Sequence, residues 1–364
     1  MWNACPTAQR VFAWRFRLFA SAVLAGLLAV PTPAVAQESE GESREIQMLL
    51  PDPEDMQRVE ASVDAALKYL AVHQRPDGSW PSKFGDNHGV NALCLLAFLG
   101  RGHVPGRGPY QPVVDRAIAH LLEHQTDQGL FKSPNASHGP MYEHALATLS
   151  LIEAYGFLPT PEMRERVQRA IDLIVKTQNN EGGWRYHPVP QQADLSATVM
   201  QIVALHAARN ARLDVPPETM DKALKYVRAC RQDGGGFRYQ PQLSGARPGV
   251  SAAGILSMAL LGDFDDPHIS ATVDWIEQRT GYKPDMSHFW YFNYYAMQAH
   301  FQIGGSAWAR WHPRVRGYLL DNQRPDGSWE SGSRNINGPA NCYSTAMAAI
   351  SLEVFLHYLP AYQR

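Results

Sequence analysis

A seven-residue stretch near the start of the chain returns letter for letter near its end. Residues Gln74–Trp80 read QRPDGSW, and Gln323–Trp329 read the same. Weaker copies lie between them at the same offset, at Gln125–Phe131, Gln178–Trp184 and Arg231–Phe237. A motif that recurs about every fifty residues indicates a repeat architecture, in which each repeat is one supersecondary unit that stacks on its neighbours.

The letters of this turn motif predict a turn that ends a helix. Pro76 presets φ for the second position of a turn, and Gly78 suits the fourth. Gln74 falls in the last helical turn, where carbonyls lack partners, and we expect its amide to donate to them. Trp80 offers a flat surface that can cover the amide and pack on the next repeat. We therefore interpret the motif as structural rather than catalytic.

Two kinds of helix alternate around these turns. Val63, Ala66, Leu67 and Leu70 have the i, i+3, i+4, i+7 spacing of an amphipathic helix. The same frame recurs at Val114–Leu121, Val167–Ile174, Met220–Val227, Ile269–Ile276 and, more weakly, His312–Leu319. In the fifth copy the motif is lost, with Thr280 and Met286 where Gln and Trp should stand. Between these stripes lie segments that are apolar nearly all round, which predicts buried helices: Ala92–Leu99, Ala145–Tyr155, Ala197–Ala208, Ser251–Leu261, Tyr291–Ile303 and Thr345–Leu356.

Six amphipathic outer helices and six buried inner helices predict an all-α fold, an (α/α)6 toroid of six helical hairpins over residues 55–364. Ring closure places the first hairpin beside the sixth. An open solenoid would need polar caps on its end repeats, and the last inner helix is too apolar for that.

The first 54 residues are expected to lie outside the toroid. Basic residues, the apolar run Leu18–Val30 and the sequence Ala34-Val35-Ala36 predict a signal peptide over residues 1–36. Residues 37–54 predict a flexible leader. We expect a secreted or periplasmic protein after cleavage, with an uncleaved membrane anchor as the alternative. With 19% charged residues and a formal net charge of −2, the composition gives no indication of nucleic-acid binding.

The turn motif resembles a motif of known proteins. Q-x-x-x-G-x-W/F at the end of a helix is similar to the QW motif of squalene and other terpenoid cyclases and of the protein prenyltransferase β-subunits. Residues 230–237, CRQDGGGF, resemble the glycine-rich version of the prenyltransferases. The resemblance covers roughly residues 55–360. It implies the toroid fold, whereas it leaves the activity open because the superfamily hosts several chemistries.

One segment bears on the cyclase chemistry. Gln192–Ala197, QADLSA, resembles the D-x-D-D-T-A acid motif of class II terpene cyclases. The resemblance makes Asp194 the counterpart of the central aspartate, which protonates the polyene. Gln192 and Leu195 stand where the motif has its other two aspartates. The alternative is that Asp194 caps the third inner helix, in which case the backbone N–H groups and the helix dipole favour its anion.

Further readings rest on the polar and aromatic residues that we expect near a central cavity. The prenyltransferase zinc site would require Asp-x-Cys, and Ala340 precedes Cys342 in the aspartate position; we expect no metal and no cofactor. A carbohydrate-active enzyme could pair Glu143, Asp194 and Asp285.

The segment His288–Tyr295 predicts an aromatic wall for an apolar ligand. The residues predicted to line the cavity are Glu143, His144, Trp290, Tyr291, Tyr294, Tyr295 and Tyr343.

Three functional hypotheses follow. The favoured one is an exported protein that binds an apolar, isoprenoid-like small molecule or a protein partner in its central cavity, without full cyclase activity. The second is a class II terpene cyclase-like enzyme, an isomerase or mutase, with Asp194 as proton donor. The third is a purely structural or protein-interaction toroid. A peripheral contact with a membrane stays open in all three.

Overall fold

The computed structural model describes residues 53–83, 85–134, 139–280, 288–330 and 340–354. These residues lie in one compact unit, Met48–Arg364, and they form twelve α-helices without a β-strand among them. Outside the described residues lie the predicted signal peptide, all but the last two residues of the predicted leader, Asp285 and Met286.

The twelve helices alternate between an outer and an inner layer. The outer helices are α1 (Pro53–His73), α3 (Gln111–Glu123), α5 (Pro161–Thr177), α7 (Pro217–Ala229), α9 (Pro267–Thr280) and α11 (Gly305–Asp321). The inner helices are α2 (His88–Gly100), α4 (Met141–Phe157), α6 (Leu195–Asn210), α8 (Pro248–Leu260), α10 (Phe289–Ile303) and α12 (Cys342–Glu353).

Burial follows the periodicity of the sequence. The predicted stripe of α1, which runs from Val63 to Leu70, is fully buried at each of its four positions. Every residue of α2 is buried, as expected for a helix that is apolar on all faces. The inner helices begin before their apolar runs, for example at His88 rather than Ala92. None of the described helices is long and apolar enough to cross a membrane.

The ring is closed. Each inner helix packs against the next, from α2 through α12, and α12 packs against both α2 and α1. The outer helix α11 also contacts α1. At this closure the side-chain amide of Gln323 donates to the Ser62 carbonyl at 2.8 Å. These contacts confirm the (α/α)6 toroid and exclude the open solenoid.

The turn motif has the predicted geometry. In its first copy the Gly78 amide donates to the Arg75 carbonyl at 3.0 Å, which closes a four-residue turn with Pro76 in second place. Gly78 has a φ of +87°, and a Cβ there would lie 2.2 Å from the Arg116 carbonyl oxygen on α3. Only glycine fits this approach, because any side chain would meet the backbone of the next outer helix.

The prediction that the glutamine donates to the end of its own helix is wrong, because the tryptophan makes that bond and the glutamine reaches the next repeat. The Gln74 amide donates to the Val113 carbonyl of the next outer helix at 2.9 Å, and to the Gly78 carbonyl at 3.2 Å. The Trp80 indole N–H instead donates to Leu70, in the last turns of its own helix, at 2.7 Å. The tryptophan therefore bonds to the end of its helix, and the glutamine links neighbouring repeats.

A third bond of each turn fixes the inner helix that follows. The backbone N–H of the motif's aromatic residue donates to a polar side chain in the first turns of that inner helix. The acceptors are Asn91, His144, Thr198, Ser251 and Thr345, at 2.8 to 3.3 Å. The turn motif thus positions the N-terminal end of the next inner helix, where the candidate site lies.

Candidate functional site

The N-terminal ends of several inner helices converge around Asp194. The Tyr142 hydroxyl, on the second residue of α4, lies 2.6 Å from Ser196 Oγ, on the second residue of α6. The ring of Tyr291 from α10 packs on Gly249 of α8. A Cβ on Gly249 would lie only 3.3 Å from that ring, so the glycine lets the ring come close. These helix ends bring tyrosines from distant parts of the chain to one place.

Asp194 is the N-cap of α6, as one of the two readings of the sequence predicted. Its Oδ1 accepts the Ala197 backbone N–H at 2.9 Å and the Ser196 hydroxyl at 2.6 Å. Its Oδ2 has no hydrogen-bond partner among the described residues, and the nearest cation is the Arg185 Nε at 3.9 Å. The carboxyl group is fully buried. One oxygen therefore caps the helix while the other remains available.

Burial decides the protonation tendency of this group. It raises the pKa of Asp194, against the hydrogen bonds from Ser196 and Ala197 and the nearby Tyr239 hydroxyl and Arg185 guanidinium. The expectation that the cap would favour the anion considered the hydrogen bonds and the helix dipole alone. Desolvation outweighs both, so the direction of the shift is opposite to that expected from the cap.

The surroundings of Asp194 are phenolic. The hydroxyls of Tyr186 and Tyr239 are hydrogen-bonded to each other, and the rings of Tyr142 and Tyr186 lie 5.6 Å apart. Burial raises the pKa of Tyr142, of Tyr239 and of Tyr291, and the negative charge of Asp194 adds to each shift. These phenols are therefore neutral at physiological pH. The group combines one carboxyl with neutral hydroxyls and aromatic faces.

Glu143 and His144 bond elsewhere. Glu143 Oε2 accepts from the Ser133 hydroxyl at 2.5 Å, and its Oε1 accepts from Asn87 Nδ2 at 3.2 Å. Burial raises the pKa of Glu143, and the bonds from Ser133 oppose that shift. The two ring nitrogens of His144 contact the backbone of Phe131 and Ala170. The described contacts thus give neither residue a bond to Asp194.

The residues of the predicted aromatic wall have two different environments. Some belong to the hydrophobic core, and one lies near Asp194. Trp290, Tyr294 and Tyr295 are buried, and the rings of Tyr294 and Tyr295 pack edge-to-face at 4.9 Å. Tyr291 is partly exposed, and its buried hydroxyl has no hydrogen-bond partner among the described residues. Tyr343 is also partly exposed, and it lies close enough to Tyr291 to contribute to the raised pKa of that residue. Of the aromatic segment, Tyr291 is the member that the structure brings towards Asp194.

Tyr142, Tyr186 and Tyr239 were missed by the sequence analysis. The repeat carries a signal for two of them, because Trp184-Arg185-Tyr186 and Phe237-Arg238-Tyr239 share the pattern aromatic-Arg-Tyr. Each tyrosine stands two residues after the motif's aromatic, where the second repeat has Ser133. That position bonds the inner-helix ends in the second, third and fourth repeats. The Ser133 hydroxyl donates to Glu143, and the backbone carbonyls of Tyr186 and Tyr239 accept from the N–H groups of Met141 and Leu195. Tyr142 carries no comparable signal.

The comparisons with known proteins agree with this architecture. Residues 109–289 match the family model of the prenyltransferase alpha-alpha toroid domain. A drimenyl diphosphate synthase from Streptomyces showdoensis is 29% identical over 197 residues, which are 52% of this chain and 34% of that protein. The matched segment thus spans about a third of the length of the curated relatives.

Solved structures extend the likeness over most of the chain. A variant of the type II terpene cyclase MstE from Scytonema, in complex with geranylgeranyl dihydroxybenzoate, superposes with a TM-score of 0.59 at 17% identity. The superposition covers 85% of this chain and 99% of the cyclase. An alpha-amylase from Clostridium perfringens has the same TM-score at 10% identity, covering 84% of this chain and 99% of that one.

These last two likenesses show the fold alone, because toroids of both kinds superpose equally well and fold does not determine chemistry. Three further observations indicate the toroids of terpenoid cyclases and prenyltransferases. They are the match to the toroid family model, the terpene synthase relatives and the turn motifs. The comparisons therefore support placing this chain among the terpenoid cyclase and prenyltransferase toroids.

Proposed function

We propose that this protein binds an isoprenoid-like polyene among the tyrosines around Asp194 and that Asp194 protonates it, as in a class II terpene cyclase. The observation that carries this proposal is the buried carboxyl group whose Oδ2 has no partner among the described residues. Because burial raises the pKa of Asp194, its acidic proton is retained to higher pH, and Oδ2 is the atom free to carry it.

The chemistry begins with one proton transfer. The O–H bond at Oδ2 breaks and a C–H bond forms at one carbon of a substrate alkene, which leaves a carboxylate and a carbocation. Ser196 and Ala197 already donate to Oδ1, so they stabilise the carboxylate as it forms. The faces of neighbouring tyrosine rings, such as Tyr142 and Tyr291, can stabilise the cation. Loss of a proton from the cyclised cation to a base completes an isomerisation, with no co-reactant.

The substrate class is inferred from the relatives and from the site. One relative is named a drimenyl diphosphate synthase, and the Scytonema cyclase was solved with geranylgeranyl dihydroxybenzoate. An aromatic site with one acid suits an apolar chain with a reactive double bond at its end. A terminal epoxide is a second suitable substrate, because its oxygen is more basic than an alkene carbon and demands a weaker acid.

The test is product formation. Purified parent protein and Asp194→Asn are incubated with polyprenyl alkenes and with their terminal epoxides, and the products are separated by mass spectrometry. We expect a cyclised product, of unchanged mass in the alkene series, from the parent and none from Asp194→Asn. Glu353→Gln is the matched control, because Glu353 is also a buried acid whose pKa is raised by burial, but it ends α12 rather than beginning an inner helix. Equal product from the parent and Asp194→Asn would contradict the proposal.

Binding without turnover is a second candidate, and one observation favours it. Gln192 and Leu195 replace the flanking carboxylates of the acid motif, so the motif itself supplies no second carboxylate to adjust the strength of Asp194 as an acid. Under this candidate, parent and Asp194→Asn retain the same polyene from a lipid extract and neither converts it. A protein that retains no apolar molecule would instead favour a structural or protein-interaction toroid.

We also propose export, with cleavage after Ala36, on the charge, apolar run and Ala-Val-Ala order of the first 36 residues. N-terminal sequencing of the mature protein should then begin at Gln37, and the protein should be found in the periplasm or the medium. A mature protein that retains Met1 would contradict this.

A further inference from the structure

We propose that Asp86, His88 and His120 form a site for a divalent transition-metal ion, and that Zn²⁺ suits the ligand set best. The site lies between the first and second hairpins. Asp86 and His88 flank the start of α2, and His120 lies in the last turn of α3. Imidazole and carboxylate together are typical ligands of Zn²⁺.

The distances fit a metal ion. Asp86 Oδ2 lies 3.4 Å from His120 Nε2 and 3.9 Å from His88 Nδ1. One ligand atom from each residue lies within 4.8 Å of the other two. Around a tetrahedral zinc with bonds of 2.0–2.1 Å, ligand atoms are about 3.3 Å apart. The three side chains thus need to close in by small rotations only, and three ligands leave a fourth position open.

Neighbouring groups orient two of the three ligands. His120 Nδ1 lies 3.1 Å from the Asp77 carbonyl, and a carbonyl can only accept, so the proton is on Nδ1. In the neutral ring the lone pair then lies on Nε2, which faces Asp86 Oδ2. The other oxygen of Asp86 accepts from Asn91 Nδ2 at 2.8 Å. Such outer hydrogen bonds are typical of protein metal sites, where they fix the tautomer and the carboxylate.

His88 supplies the second, independent observation. Its side chain is fully buried, and neither ring nitrogen has a hydrogen-bond partner among the described residues. An unsatisfied buried polar group costs folding free energy, and a metal bond to one nitrogen would remove part of that cost.

The proposal departs from the expectation that the protein holds no metal. His120 and His124 stand four residues apart in the sequence, a spacing that the expectation overlooked. The ring of His124 is exposed and lies 4.3 Å from that of His120 and 5.1 Å from that of His88. It therefore borders the site on the solvent side. The site is also distinct from a prenyltransferase-type Asp-x-Cys site, which the sequence analysis placed at Cys342, because Cys342 is not among its ligands.

The test is metal binding by the full chain, freed of any affinity tag and of metal by a chelator. We titrate Zn²⁺ in competition with a chromophoric chelator and record the visible spectrum of the Co²⁺-loaded protein. One Zn²⁺ per chain and a Co²⁺ spectrum of low coordination number are expected. Asp86→Asn and His120→Gln should each weaken Zn²⁺ binding by roughly 100-fold or more, since changes in outer partners alone cost 10–100-fold.

His206→Gln is the matched control, because the Nδ1 atom of His206, like that of His120, lies on a backbone carbonyl, that of Leu260. It should keep the parent's affinity, and an equal loss in this variant would contradict the site. A measurement on the parent protein alone tests the proposal even if a variant fails to fold. The Tm of the parent should rise with excess Zn²⁺, and an unchanged Tm together with the Co²⁺ spectrum of the aqueous ion would overturn the proposal.

Discussion

The turn motifs and the Asp194 site use the same kinds of hydrogen bond, but they differ in what is left unbonded. In the first turn, the Gln74 amide and the Trp80 indole both donate to carbonyls, and Asn91 accepts the Trp80 backbone N–H. At the site, one oxygen of Asp194 is bonded in the same way while the other has no partner among the described residues. The turns therefore use their donors to hold the ring, whereas the site leaves one buried carboxyl oxygen without a hydrogen bond among the described residues.

Two helix caps make the contrast closest. Asn87 and Asp194 precede the first and third inner helices, and each accepts the backbone N–H three residues later, at 3.0 and 2.9 Å. The amide nitrogen of Asn87 donates to Glu143, so both of its polar atoms are bonded. Asp194 has the same position and cap geometry with an acid in place of an amide. This comparison indicates that capping accounts for one oxygen of Asp194 and not for the choice of a carboxyl group.

The largest expected effect is on the turns. Trp80→Ala and Trp329→Ala should each lower the free energy of unfolding by about 3–5 kcal/mol, because each removes a buried indole that is almost fully enclosed and bonded to the end of its helix. Chemical denaturation measures the loss. A variant with the unfolding midpoint of the parent would show that the turns do not hold the ring.

A smaller effect is expected at the ring closure. Gln323→Ala removes two hydrogen bonds, to Ser62 and Gly327, and should cost about 1–2 kcal/mol. Gln125→Ala is the matched variant, because its amide makes the corresponding bonds to Arg166 and Gly129 within the ring. Denaturation curves of the two should shift alike. A shift confined to Gln125→Ala would indicate that the closure contributes nothing to stability.

The caps should respond differently to substitution. Asn87→Ala should cost about 1 kcal/mol, whereas Asp194→Asn keeps a side chain that caps equally well. The pKa of Asp194 is raised in the folded state, so its contribution to stability is fully present below the unfolded-state pKa and is lost as pH rises through the folded pKa. Asp194→Asn should therefore gain stability relative to the parent as the pH rises above the ordinary pKa of 3.8. Denaturation at several pH values checks this, and a parent that gains on the variant as pH rises would contradict it.

The sequence predicted the fold well for a physical reason. Outer helices must bury one stripe and inner helices all faces, and both patterns are read directly from residues such as Val63, Leu67 and Leu93. The exchange of donors between Gln74 and Trp80 was not predictable from local patterns. Both side chains carry N–H groups, and only the packing of the next repeat decides which carbonyl each one reaches.

The candidate site was predicted in part. Asp194 and Tyr291 were found because each lies in an unusual segment. Tyr186 and Tyr239 come from separate turns, and their shared hydrogen bond exists only once the ring brings the third and fourth repeats together. The raised pKa of Asp194 was likewise beyond a local argument, because the cap is visible in the sequence but the burial that outweighs it is a property of the assembled ring.

The protonation of Asp194 tests the central claim most directly. Infrared spectra of the parent and of Asp194→Asn are recorded across a pH titration, and their difference isolates one carboxyl group from the other buried acids. The account predicts a protonated-carboxyl band in the parent that persists above pH 3.8, the ordinary value for this group. A band that titrates at or below that value would mean that Asp194 is an ordinary helix cap, and the proposed proton transfer would lose its donor.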